Sequence, residues 1–202
     1  MTISVFNIRD MILAGQEALV ASYLATFSCC KKDAQGNEKL LNPDIEHFLK
    51  ANAVQFAKMK TAITYFVFDA DDGAFLGYFT LAHKSLSIPS DGLSRKIKEK
   101  IKRFSSLDES DGTYTVSAFL LAQLGKNYRI ENGSRIAGKT LMAIAKEKLS
   151  EIQNSIGGTI VYLDCEADAN LINFYEAEGF TLFGERISSV DGKRYLQYIA
   201  FI

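Results

Sequence analysis

The residues best suited to chemistry form one short run, Gly133-Ser134-Arg135-Ile136-Ala137-Gly138-Lys139-Thr140. It matches G-x-x-x-x-G-K-[ST], a loop whose backbone N–H groups cradle phosphate oxygens while a lysine adds charge. Downstream, Ile160-Val161-Tyr162-Leu163-Asp164 has the form of an apolar strand ending on a magnesium-binding aspartate. Together these would describe a nucleotidase. The spacing argues against it: the preceding strand pattern ends near Leu124, eight residues before Gly133, whereas a nucleotidase loop follows its strand directly. Such a loop also usually follows an early strand, with several βα units still to come. Only 62 residues follow Thr140, enough for one helix, one strand, a short helix and a hairpin. The phosphate-binding physics survives the loss of the nucleotidase. Amides at a helix N-terminus, beside residues small enough for close approach, hold an anion whichever molecule carries it. Arg135 and Lys139 add positive charge at the same place. The competing reading is that Gly138 only permits close helix–strand packing.

A second cluster is Phe174-Tyr175-Glu176-Ala177-Glu178-Gly179-Phe180. By itself a helical tyrosine there reads as an amphipathic packing residue. Thr113 to Leu124 contains no acid, and Glu166 and Asp164 lie just past the next strand. Either reads as a loop acid. Cys165 has no histidine beside it and reads as a small apolar packing residue. His47 and His83 show no metal or triad spacing. Asp69-Ala70-Asp71-Asp72-Gly73 begins like a calcium loop, but its twelfth position is Thr80 rather than glutamate, so it reads as a turn. Cys29, Cys30 and Cys165 make neither a disulfide framework nor a zinc spacing.

The elements that must position these residues follow from hydrophobic periodicity. Asn7 to Phe27 has helical spacing, Lys31 to Asn42 is a polar loop, and Asn42-Pro43-Asp44-Ile45-Glu46 is a helix start. That second helix carries Ile45, Phe48, Leu49, Val54 and Phe56 towards a core. Ile63 to Phe68 and Phe75 to Ile88 are strands around the turn signal Asp72-Gly73. A basic amphipathic helix, Leu93 to Phe104, interrupts the pattern; its positive face reads as solvated. Thr113 to Leu124 is a strand, Ile136 to Ile152 a helix ended by Gly157-Gly158, and Thr159 to Leu163 a buried strand. Asp168 to Glu178 is a short helix stopped by Gly179. Phe180 to Ser188 and Tyr195 to Ile202 form a last hairpin around Asp191-Gly192.

Composition sets the outer bounds. Twenty-three basic residues against 24 acidic ones leave a net charge of −1, which excludes the whole surface as an electrostatic nucleic-acid binder. No apolar run reaches the roughly 18 residues of a membrane span, and Met1-Thr2-Ile3-Ser4-Val5 lacks a basic leader. The expectation is a soluble, cytoplasmic α/β protein of one domain with no membrane association.

A strand, a glycine loop opening a long helix, another strand, and then Phe-Tyr-Glu-x-x-Gly-Phe resembles the GNAT superfamily of acetyl-CoA-dependent N-acetyltransferases. The resemblance runs from Thr113 to Phe180. It extends more weakly upstream through Phe27-Ser28-Cys29, Phe48-Leu49 and the strands Thr64 to Ala82 with Leu76-Gly77-Tyr78, like the branch that includes toxins of toxin–antitoxin pairs. It implies a single GNAT-like α/β (α+β) domain over 1–202, with an inserted basic helical segment at about 89–112. The implied sheet is mixed and twisted, of about six or seven strands, and flanked by helices.

The implied cofactor is acetyl-CoA. In that family the motif Gln/Arg-x-x-Gly-x-Gly/Ala wraps the pyrophosphate with backbone amides. Aligning Gly138 with its second glycine puts Gly133 where Gln or Arg is usual, Ile136 at the first glycine and Thr140 at a small position. The resemblance thus assigns Ser134, Arg135, Ile136, Ala137, Gly138, Lys139 and Thr140 to the pyrophosphate and Leu124, Gly125 and Lys126 to pantetheine. An amide of Leu124 or Gly125 is the candidate oxyanion donor. Phe174 joins the cofactor residues. Tyr175 falls where the family protonates the departing thiolate, and Asp168 replaces the family's asparagine and reads as a helix cap. Glu166 is the candidate general base, although the toxin-like branch often manages without one.

The implied reaction is acetyl transfer to a primary amine of a small molecule, peptide or protein. The alternative is a toxin-type enzyme acting on aminoacyl-tRNA, with tRNA or an antitoxin as partner; a homodimer is compatible with either. A non-catalytic acyl-CoA-binding module is the rival of another class, and Tyr175 argues against it.

Overall fold

In the computed structural model, residues 2–32, 37–129, 134–188 and 192–202 are described. The single helix predicted from Asn7 to Phe27 is divided. Strand β1 (Ile3–Asn7) comes first, and the Asn7 side chain caps α1 (Ile8–Leu13) by accepting from the Arg9 N–H at 2.9 Å. Gly15, at φ +76°, then turns the backbone left-handed, which no right-handed helix can pass through, and α2 (Glu17–Thr26) starts afresh. The predicted polar loop holds part of a hairpin, β2 (Cys30–Lys32) paired with β3 (Glu38–Leu40). As expected, Asn42-Pro43 opens a helix, α3 (Pro43–His47), which passes through a π turn at Phe48–Asn52 into α4 (Ala53–Lys58). Phe56, expected in the core, is exposed, because the π turn adds a residue and rotates the following face.

Strands β4 (Ile63–Asp69) and β5 (Phe75–Pro89) flank the predicted turn, where Gly73 takes φ +73°. The basic segment holds α5 (Arg95–Ile101), capped by the Ser94 hydroxyl, and β6 (Leu107–Asp108). Strand β7 (Thr113–Lys126) runs two residues past its predicted end, so Gly125 and Lys126 belong to the strand. It is followed by α6 (Gly138–Ile156), β8 (Ile160–Glu166), α7 (Ala169–Ala177), β9 (Thr181–Ile187) and β10 (Arg194–Phe201). Gly133 of the glycine loop and Asp191 of the last turn lie outside the described residues.

The chain divides into two units, through both of which β5, β7 and α6 run. One comprises the chain up to Ala82 and Leu121–Glu147; the other comprises His83–Leu120 and Lys148–Ile202. In the first the strand order is β1-β4-β5-β7. Here β1 lies antiparallel to β4, from Ile3↔Asp69 to Asn7↔Tyr65, and β4 antiparallel to β5. Its core gathers Ile8, Val20, Phe27, Leu49, Phe66 and Tyr78. In the second unit the order is β5-β7-β8-β10-β9, with β6 paired to β7. The β7–β8 pair is parallel, at Phe119↔Val161 and Leu120↔Tyr162, while β10 is antiparallel to both β8 and β9. Ile88, Ile101, Tyr114, Val116, Ile160 and Ile199 make its core. The class is α/β and the sheet is mixed, as expected. The seven strands on the sheet path (β1, β4, β5, β7, β8, β10 and β9) agree with the expected number, β6 being an addition.

Candidate active site

In the first unit, the start of α6 is an anion-ready surface. The first helical ring closes from the Leu141 N–H to the Ala137 carbonyl at 3.1 Å. Helix geometry therefore leaves the N–H groups of Gly138, Lys139 and Thr140 without an acceptor inside the helix. Lys139 and Thr140 are exposed, so their surroundings admit a ligand. The approach to this turn is pinned from three sides. Ile136 buries its side chain to 2% exposure. The Ser134 hydroxyl accepts from the Ile136 N–H at 3.4 Å and donates to its carbonyl at 3.1 Å. Arg135 points away, its guanidinium donating to Asp69 Oδ2 at 2.5 Å and to Asp72 Oδ2 at 2.6 Å. The expectation that Arg135 lends its charge to a bound phosphate is thereby revised, because both arms already hold carboxylates. Asp72 drops below the usual carboxylate range under the Arg135 hydrogen bond.

The predicted pantetheine strand ends in the same unit. Gly125 is buried, and a Cβ there would stand 2.6 Å from Ile45 Cγ2 and 2.7 Å from Tyr78 Cε1. A Cβ on Gly77 would stand 2.5 Å from the Gly125 carbonyl oxygen. Gly77 thus permits the backbone of the next strand to come close, and Gly125 leaves room for the side chains of Ile45 and Tyr78. Leu124 and Lys126 are half-buried. Asn127, a residue that sequence reasoning passed over, latches this strand end. It is 3% exposed, its amide donates to the Phe75 carbonyl at 2.9 Å, and its oxygen accepts from the Ser28 N–H at 3.1 Å. An asparagine directly after a strand was its only signal in the sequence.

In the second unit, α7 carries Tyr175 and is fixed at both ends. Asp168 caps it as expected, its Oδ1 accepting from the N–H groups of Asn170 and Leu171. Gly179, at φ +85°, lets the Phe180 N–H return to the Tyr175 carbonyl at 3.0 Å. The Tyr175 ring lies among Phe174, Phe180 and Tyr198, with centroids 5.1, 6.0 and 6.3 Å away. Burial in this apolar setting raises the phenol above its ordinary value of 10.0, and Cys165 raises it further. Cys165 is itself pushed up to about 11, chiefly by burial, and stays a thiol. The Tyr175 oxygen therefore keeps its proton at neutral pH.

The candidate bases are already engaged. Glu166, at the end of β8, accepts from the Lys193 ammonium at 2.8 Å on an exposed surface. Asp164 accepts from Arg186 at 2.6 Å and from Gln197 at 3.1 Å. Among the described residues no cluster of His, Cys, Asp and Glu could hold a metal ion. His83 packs edge-on against Phe119, in agreement with an ordinary role.

No family model matches the chain, and no curated protein matches its sequence. Solved structures do match. The chain is similar to AtaT complexed with acetyl-methionyl-tRNAfMet, at 15% identity and TM-score 0.59, over 96% of this chain and 94% of that one. It is similar to a tyrosine-to-phenylalanine mutant of KacT, at 14% identity and TM-score 0.60, over 98% and 95%. It is also similar to the NatC complex bound to Gag peptide and CoA, at 14% identity and TM-score 0.52, over 100% and 99%. The chain therefore shares the fold of these structures, among them a bacterial toxin at 17% identity and TM-score 0.58, over 98% of this chain and 90% of that one.

Proposed function

We propose that the protein is an N-acetyltransferase, its two units working as one domain over 1–202, that transfers acetyl from acetyl-CoA to a primary amine by direct attack. The observation that carries the reading is the end of α7, which sets the Tyr175 ring among Phe174, Phe180 and Tyr198 in the Phe-Tyr-Glu-x-x-Gly-Phe run whose resemblance implies an acid there. Acetyl-CoA supplies an activated thioester. The amides of Gly138, Lys139 and Thr140 hold its pyrophosphate, with the Lys139 ammonium adding charge. The backbone of Leu124, Gly125 and Lys126 lines pantetheine, and Tyr175 gives its proton to the departing sulfur. Glu166 is tied to Lys193, so no dedicated base is assigned: the amine enters unprotonated, its nitrogen bonds to the acetyl carbon as the carbon–sulfur bond breaks, the nitrogen sheds its proton to water, and the Tyr175 phenolate recovers a proton from water.

Two acceptor classes have support. The neighbour solved with Gag peptide and CoA supports a peptide amine. AtaT, solved with acetyl-methionyl-tRNAfMet and, as a mutant toxin, with the C-terminus of the antitoxin AtaR, supports the α-amine of a charged tRNA and a protein partner. Thermal unfolding tests the cofactor. Acetyl-CoA at about 100 times its dissociation constant adds about 2.7 kcal/mol of stability, and Mg-ATP adds none. Turnover measured over a panel of amines, peptides and charged tRNA then identifies the acceptor. Stabilisation by Mg-ATP alone would overturn the assignment.

A further inference from the structure

We infer that Asp69 is a positioning residue for the phosphate cradle, acting through Arg135 without touching the ligand. The inference rests on the acetyl-CoA reading. Among the described residues, Asp69 is the only charged side chain in the buried class, at 2% exposure. A buried carboxylate is unfavourable unless charge and hydrogen bonds compensate it. Arg135 Nη2 lies 2.5 Å from one of its oxygens, and the Asp71 N–H donates to the other at 3.1 Å. Asp69 is itself immobilised at the end of β4: its N–H donates to the Ala74 carbonyl at 3.0 Å, and its carbonyl accepts from the Gly73 N–H at 2.8 Å. The second arm of the guanidinium takes Asp72 at 2.6 Å.

A planar fork gripped by two carboxylates has one orientation, which an ammonium cannot reproduce. The turn between β4 and β5 thus straps a loop 66 residues away, immediately before the first turn of α6. A cradle of backbone amides has no side chain that can adjust to its ligand, so its affinity depends on where the loop is held.

The test compares two acetyl donors, acetyl-CoA and acetyl-pantetheine, which lacks the pyrophosphate. Each is titrated calorimetrically into wild-type protein, Asp69→Asn and Arg135→Lys, the second at an exposed position. In both variants acetyl-CoA affinity falls about tenfold, as expected for a misplaced binding group, while acetyl-pantetheine affinity is unchanged. Amide hydrogen exchange in the variants quickens across 134–140 and stays at its wild-type rate in α7. Equal losses for both donors, or a lower melting temperature with both affinities intact, would mean a merely structural ion pair and overturn the proposal. A wild-type protein that binds neither donor sinks the acetyl-CoA reading instead. Exchange across 134–140 then decides the strap alone, and an unchanged rate there refutes it.

Discussion

At the start of α6 the groups without an acceptor inside the helix are backbone amides beside the exposed Lys139, and the three side chains just before them hold the chain. Ile136 is buried, the Ser134 hydroxyl closes a local turn, and Arg135 is spent on Asp69 and Asp72. In α7 the arrangement is reversed. The backbone is an ordinary short helix capped by Asp168, and the proposed chemistry rests on one phenol whose acidity its apolar neighbours suppress. A site built from backbone tolerates changed residue types as long as its position is kept. A site built from one side chain tolerates no such change.

The sharpest break in that comparison is Tyr175→Phe. The ring and its packing are kept and only the hydroxyl is lost, so acetyl-CoA affinity changes little while turnover falls 10²–10⁴-fold, the range for a lost general acid. Because burial raises the phenol above 10.0, its ionisation removes no wild-type activity below that pH. A decline that begins lower and vanishes in Tyr175→Phe would contradict the assignment.

Gly77→Ala comes next. Its new Cβ would meet the Gly125 carbonyl oxygen at 2.5 Å, backbone that cannot step aside, and overpacking of this kind costs about 1–3 kcal/mol. Denaturant unfolding should register that loss; a stability equal to wild type would show that the strands separate at no cost. Asp168→Ala removes two hydrogen bonds at the α7 N-terminus and should cost ~1 kcal/mol, while leaving acetyl-CoA affinity unchanged.

The smallest effect is expected from replacing Lys96, Lys98, Lys100 and Lys102 together by Gln. Lys102 pairs with Glu99, and Lys100 sits 4.7 Å over the Phe201 ring. Surface changes of this kind shift stability by no more than about 0.5 kcal/mol each, and activity on a small amine should be unaltered. Loss of activity confined to charged tRNA, with a flatter salt dependence, would instead make this helix part of the acceptor surface.

Much of this was legible in the residues, and the exceptions have local causes. The strands at Ile63 and Phe75, the proline-led helix at Pro43, the cap at Asp168 and the stop at Gly179 all follow from short-range rules of periodicity, capping and left-handed glycine. The same rules missed β1, which lies just before the helical pattern that starts at Asn7, because five residues give too short an alternation to stand out. They also missed the break at Gly15, since an isolated glycine inside a helical pattern is tolerated as often as it ends the helix.

The amino-acid order by itself determined the α/β class, the run of small and basic residues opening a long helix, and the tyrosine in its Phe-Tyr frame. Each of these is written in neighbours a few residues apart. Only the tertiary structure decided what the charged residues do. Arg135 and Asp69 are 66 positions apart in the chain, and Glu166 and Lys193 are 27 apart. A sequence pattern can say that a guanidinium or a carboxylate is present. Whether it meets a ligand or another side chain depends on long-range contacts that form when β4 and β8 take their places.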